Sequence, residues 1–242
     1  MDAAALRAVY ARLLEAFGEQ DWWPAQTAFE VMIGAILTQN TAWTNVERAL
    51  ERLRSRIPLD AESILALDPL ELADALRPSG YFNVKSQRVR AFCEAYLQAG
   101  GHGGLDALET PELRARLLAI KGIGPETADD VLLYAFDRPV FVVDAYTRRI
   151  FARLGLLAGG ETYEGIRRAF EQALGPDVPM LKEYHALIVS QGKEVCRTRA
   201  ACERCALRRT CAAAASSPSD SSTSSRTAQR RRRGTTASEE TP

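Results

Sequence analysis

Four cysteines fall within sixteen residues near the end of this 242-residue chain: Cys196, Cys202, Cys205 and Cys211, spaced C-x5-C-x2-C-x5-C. Thiols this close together either pair as disulfides or ligate a soft metal. The first residues bear on which. Leu6, Tyr10, Leu13, Leu14 and Phe17 recur at helical spacing, while Arg7, Arg12 and Glu15 break any apolar run. That pattern is neither a signal peptide nor a membrane span. A cytoplasmic protein without membrane contact is expected, and a reducing compartment disfavours disulfides. Structural zinc sites usually separate two close pairs of ligands by a longer span. A single close pair with one cysteine on each side suits a cubane cluster. The fifth cysteine, Cys93, lies in an amphipathic helical pattern and reads as core.

A second group of residues could hold a phosphate. The run from Leu118 to Ala128 (LAIKGIGPETA) reads as helix, tight turn, helix. Gly122 and Gly124 flank Ile123 and allow positive φ or close backbone approach. Pro125 opens the second helix, whose first N–H groups point outward and seat an anion together with Lys121, Gly122, Ile123, Gly124 and Thr127. The formal net charge is zero, yet Lys193–Arg209 holds six basic residues against two acidic ones. A local patch of that kind attracts a phosphate backbone even on a neutral molecule.

The elements that must position these groups are helical. Asp68-Pro69-Leu70-Glu71 combines an N-cap, a proline at the first helical position and a capping-box glutamate, and Thr110-Pro111-Glu112 repeats the grammar. Phe29–Leu37 is apolar almost all round, as in a helix at the centre of a bundle. Val140–Val143 is the one strand-like run and is too short to found a sheet. The fold class expected is all-α, with about ten helices. From Ala212 to Pro242 the composition narrows to polar and small residues, with five arginines (Arg226 and Arg230–Arg233), and reads as a disordered tail.

The segment Ile120–Gly155 resembles the helix-hairpin-helix and Asp motif of the endonuclease III superfamily of DNA glycosylases, and the similarity runs from about Trp22 to Cys211. The resemblance implies two helical lobes, a six-helix barrel over residues 23–137 and a discontinuous lobe made of 1–22 and 138–211, with double-stranded DNA in the cleft between them and a monomer as the working unit. Val142-Val143-Asp144-Ala145-Tyr146 falls where the family carries its catalytic aspartate, although an Asp there would also cap the following helix. Leu37-Thr38-Gln39-Asn40-Thr41 resembles the loop whose Gln fills the gap left by an extruded base. Gly80-Tyr81-Phe82-Asn83-Val84-Lys85 resembles the second DNA-contacting loop, implicating Tyr81 and Lys85. The four cysteines stand where the family holds a [4Fe–4S] cluster, with a first gap one residue shorter than its commonest form.

Superfamily members that also cut the strand use a lysine just after the hairpin as a Schiff-base nucleophile. Glu126 occupies that position here, which implies base removal without strand cleavage. Within the superfamily, Gly122–Asp129, Trp22-Trp23-Pro24 and the stretch from Ile36 to Trp43 are most similar to the 3-methyladenine branch. An N-alkylated purine is cationic and stacks on aromatic faces, so Trp22, Trp23, Trp43 and Glu126 are the expected base-pocket residues.

Overall fold

In a computed structural model, the chain is described over residues 2–20, 22–23 and 25–215. Among these residues are three short 3-10 turns and thirteen α-helices: α1 (Ala3–Phe17), α2 (Ala28–Leu37), α3 (Trp43–Arg54), α4 (Ala61–Ala66), α5 (Pro69–Ala75), α6 (Phe82–Gln98), α7 (Gly101–Asp106), α8 (Thr110–Leu118), α9 (Pro125–Ala135), α10 (Ala145–Leu154), α11 (Tyr163–Leu174), α12 (Val178–Glu194) and α13 (Ala212–Ala215). The protein is all-α, and no strand occurs among the described residues. No helix among them is long and apolar enough to cross a membrane.

Polar side chains mark where the helices begin. Thr27 Oγ1 accepts from Glu30 N, Asp60 from Ser63 N and Asp68 from Leu70 N, each satisfying an N–H that the helix cannot. Pro69 occupies the first turn of α5, as the sequence predicts. Helix α2 is buried at every position from Phe29 to Leu37 and packs on α9, α6 and α3, which fits its uniformly apolar surface. Helix α1 turns Leu6, Val9 and Leu13 toward α11 and α12. Fully burying Leu6 and Leu13 contributes roughly 1.5–3 kcal/mol each.

The run Val140–Val143 is buried and lies outside any helix, but it pairs with no strand among the described residues. Phe141 instead stacks on Phe170 at 4.0 Å and lies edge-on to Tyr184, so side-chain packing replaces a sheet ladder. This anchors the residues just ahead of α10. The helix count exceeds expectation because α4, α5, α7 and α13 are only one or two turns long. Ala212–Ala215 was expected to belong to the disordered tail, yet these residues form α13 against α10. The rest of that tail, with its arginines, lies outside the described residues, as does Pro24.

Candidate active site and cysteine-lined cavity

The hairpin between α8 and α9 is closed by Ile123 N donating to Ile120 O at 3.1 Å, and Ile123 is plugged into the core. Gly122 has φ +92°, and a Cβ there would lie 2.4 Å from Arg88 Cγ, so glycine is required on two counts. Gly124 precedes Pro125 in extended conformation, and no side chain caps α9. The first-turn N–H groups therefore remain available to an outside anion. Lys121 is exposed beside them, and Thr127 is buried. Gln39 does not hang free. Its Nε2 donates to Gly122 O at 3.1 Å and Thr127 Oγ1 at 2.9 Å, and Arg88 donates to its Oε1, so the loop after α2 is tied to the hairpin.

Asp144 caps α10 and is buried. Its Oδ1 accepts from Thr147 N at 2.6 Å and Thr147 Oγ1 at 2.8 Å. Its Oδ2 takes no part in the cap and lies 3.9 Å from His185 Nε2. Oδ1 thus serves the helix cap, and Oδ2 is the oxygen left outside it. Glu126, Asp130 and Tyr134 lie at i, i+4 and i+8, on one side of α9. Glu126 keeps solvent access on one side. Crowding on the other pushes its carboxyl up to about 7, the Asp144 charge adds to that, and Arg148 opposes it. Asp130 is pushed well above the carboxylate range by burial, then by Glu126 and Asp144, and its Oδ1 has no hydrogen-bond partner. Asp129, on the adjacent face, is structural: Arg114 grips it through two bonds of 2.6 and 3.0 Å, and Tyr163 donates to it.

Trp23 and Trp43 come together, edge to face at 5.4 Å, and Trp23 also packs on Tyr134 at 4.9 Å. Gly34 makes room for both, since its Cβ would meet Trp43 at 3.3 Å. Trp23 holds φ +76°, a strained value for a bulky residue. Trp22 stands apart from that pair, under the Lys193 ammonium at 5.0 Å. Tyr81 is 71 % exposed at φ +46°, presented at the start of α6.

Lys85 corrects an expectation. It is 1 % exposed, and its Nζ donates to Leu37 O at 2.8 Å and Ser79 O at 2.7 Å. Burial, with the Arg88 charge, lowers its pKa to about 8. Rather than reach outward, Lys85 fastens the Tyr81 loop to the Gln39 loop. The sequence places it in a loop with DNA-contact character, but helix α6 begins at Phe82 and turns position 85 inward.

Cys196 follows α12, and two 3-10 turns, Cys202–Arg204 and Arg208–Thr210, carry the chain past Cys205 to Cys211. All four thiols are free and line one cavity of about 270 Å³. Arg153 donates to Cys196 Sγ and Gln191 to Cys205 Sγ, each at 3.2 Å. Among the described residues no three Cys, His, Asp or Glu side chains converge on a single-ion site. Four sulfurs lining one cavity, two of them already receiving N–H donors, make a soft donor set of the kind an iron–sulfur group would require. Leu207 plugs the loop into the core, while Arg197, Arg199, Arg204, Arg208 and Arg209 are exposed around it. Cys93 is buried core, as expected, its thiol pushed up to about 12 by burial.

His185, Tyr134, Asp130 and Lys193 were not singled out from sequence. The Asp144 charge acts on each of them. Their only linear signal is polar side chains interrupting the buried faces of α9 and α12.

The family model for HhH-GPD superfamily base excision DNA repair proteins matches residues 33–176, a span holding the hairpin and Asp144. The chain belongs to this superfamily. Among its HhH-GPD relatives, the candidate DNA repair glycosylase MJ1434 of Methanocaldococcus jannaschii is 44% identical over 208 residues, covering 84% of this chain and 94% of that protein. Endonuclease III of Sulfolobus acidocaldarius is 28% identical over 188 residues, 77% of this chain and 82% of the relative. Among solved structures, a 3-methyladenine DNA glycosylase of H. pylori bound to 1,N6-ethenoadenine aligns with a TM-score of 0.68 at 28% identity, covering 80% of this chain and 98% of that one. An endonuclease III–DNA complex aligns with a TM-score of 0.76 at 18% identity, covering 89% and 97%; at that identity the likeness concerns the fold.

Proposed function

We propose that this HhH-GPD glycosylase is monofunctional: it extrudes a damaged base from double-stranded DNA, cleaves the N-glycosidic bond and leaves an abasic site. The carrying observation is that Glu126, a carboxylate, occupies the first turn of α9 within the charge field of Asp144. A carboxylate cannot form an imine with the sugar. Asp144 Oδ2 stabilises the positive charge that develops on the sugar as the bond breaks, or activates the attacking water. The hairpin seats one phosphate, Tyr81 and the Gln39 loop approach the site vacated by the base, and the lobes of residues 23–137 and 1–22 with 138–211 flank the DNA as a monomer.

Cationic alkylpurines such as 3-methyladenine are the substrate this site favours, because Trp23 and Trp43 offer π faces and Glu126 and Asp144 supply negative charge, whereas Trp22 already lies under the Lys193 ammonium. One observation favours a second reading. Glu126 and the unpartnered Asp130 crowd together one turn apart beside Asp144, which raises both toward their neutral forms, and a neutral carboxyl donates a hydrogen bond to a carbonyl of a deaminated or oxidised pyrimidine. The experiment is a panel of duplexes carrying 3-methyladenine, uracil, thymine glycol or 8-oxoguanine, scored for breaks with and without alkali. Alkylpurine release with alkali-dependent breaks is expected. The rate on that cationic base should rise as pH passes upward through about 7, where Glu126 ionises. Release of pyrimidines alone, with a rate falling over the same interval, would establish the second reading.

Cys196, Cys202, Cys205 and Cys211 would hold a [4Fe–4S] cluster, which supplies a structural staple that orders the loop and its exposed arginines against the DNA backbone. Protein purified without air should be brown and carry about four irons per chain. Zinc at about one per chain with no iron would overturn this assignment. Cys202→Ala should lose the colour together with DNA binding or solubility.

A further inference from the structure

Three buried polar atoms without a hydrogen-bond partner gather around Tyr134: Trp23 Nε1, Asp130 Oδ1 and His185 Nε2. The Trp23 ring lies 4.9 Å from that of Tyr134, the His185 ring lies 5.8 Å from it, and Asp130 shares its helix face. An unsatisfied buried polar atom is costly, so several at one place mark a site whose partners arrive or close during function. His185 is the most informative of the three. Its Nδ1 sits 2.8 Å from Tyr134 Oη, and its unpartnered Nε2 lies 3.9 Å from Asp144 Oδ2.

The proton on His185 can be placed by electrostatics. Burial lowers the pKa of the ring against the opposing pull of the Asp144 charge, which favours the neutral form with one N–H. If Nδ1 held that proton, a bare Nε2 lone pair would face the Asp144 carboxylate, which is repulsive. If Tyr134 donates to Nδ1, the proton sits on Nε2 and points at Oδ2, which is attractive. Tyr134 Oη also reaches Lys182 O, at 3.2 Å, and its single proton can go to only one of these two acceptors; the contact to the imidazole is the shorter at 2.8 Å. The shorter contact and the Asp144 charge together favour the Nε2–H tautomer. Asp144 Oδ1 is fully occupied by Thr147, so Oδ2 is the oxygen left for such a donor.

We propose that His185 is a positioning residue for Asp144: Tyr134 fixes its tautomer, and its Nε2–H closes the 3.9 Å gap to Oδ2 when DNA binds, aiming the carboxylate at the sugar. This rests on the reading of Asp144 as the catalytic carboxylate. Sub-ångström aim matters because electrostatic stabilisation is strongest when the charged group needs no reorganisation as the bond breaks.

The test uses single-turnover base release from a duplex that the wild-type protein processes, alongside affinity for a duplex with an uncleavable abasic analogue. His185→Gln keeps a donor near the Nε2 position, His185→Asn keeps one nearer Nδ1, and His185→Phe keeps only ring volume. The Asn and Phe variants should slow release about tenfold or more while affinity stays within a few-fold, and the Gln variant should recover most of the rate. A role in packing alone would make Gln and Asn equally poor, and that result overturns the inference, as does a wild-type rate in the Asn variant. Should the Phe variant not fold, the Gln–Asn pair decides. Asp144→Asn run in parallel separates the two levels: if it keeps full turnover, the Asp144 reading falls and takes this inference with it, whereas a dead Asp144→Asn beside a fully active His185→Asn rejects the histidine's role alone.

Discussion

Asp144→Asn should abolish base release, lowering the single-turnover rate by about three orders of magnitude, while affinity for an uncleavable abasic duplex stays within a few-fold. The substitution separates the two oxygens of the carboxylate. Asn is an equally good N-cap, so its side-chain oxygen can still accept from Thr147 N and Oγ1 as Oδ1 does now. Helix α10 should therefore survive, and the melting temperature should move by only a few degrees. The negative charge at Oδ2 does not survive. An amide offers the developing oxocarbenium a dipole in place of a full charge, in a buried setting where the difference is large. Turnover close to wild type would remove Asp144 from the mechanism. Loss of turnover accompanied by melting of the protein would point to the cap instead.

What could be read from sequence was whatever is encoded locally. The glycine hairpin and the caps at Asp60 and Asp68 each lie within about a dozen residues, and each took the expected form. Asp144 as an N-cap was legible for the same reason. Lys85 was misread because its fate depends on carbonyls of Leu37 and Ser79, brought to it by tertiary packing. Val140–Val143 has strand propensity but no partner strand, so Phe170 and Tyr184 decide its environment. Tyr134 and His185 meet across 51 positions of sequence, and neither helix pattern announces that its polar residue faces the other's. The same holds for Lys193, whose contact with Trp22 joins residues far apart in the chain.

Strand cleavage is the sharpest test, because it hangs on one side chain. Borohydride should trap no covalent complex between the wild-type protein and lesion DNA, and breaks should appear only after alkali. Glu126→Lys should gain trapping where the wild type shows none. The new amine would begin in the same first turn of α9, within the field of Asp144. Burial would lower its pKa, the neighbouring carboxylates would raise it, and the neutral fraction sets its nucleophilicity. Trapping should therefore be weak near neutral pH and strengthen as pH rises. The same change turns a negative pocket charge positive, so release of cationic purines should fall even as trapping appears. Efficient trapping by the wild-type protein would sink the monofunctional reading. The amine responsible would then have to be sought among four lysines. Lys85 is bound to two carbonyls and Lys182 to Asp137, while Lys121 is exposed on the hairpin. Lys193 alone among them is both partly desolvated, which lowers its pKa, and coupled to the Asp144 charge. Lys193→Ala would be the substitution expected to abolish such trapping, with Lys121→Ala leaving it unchanged.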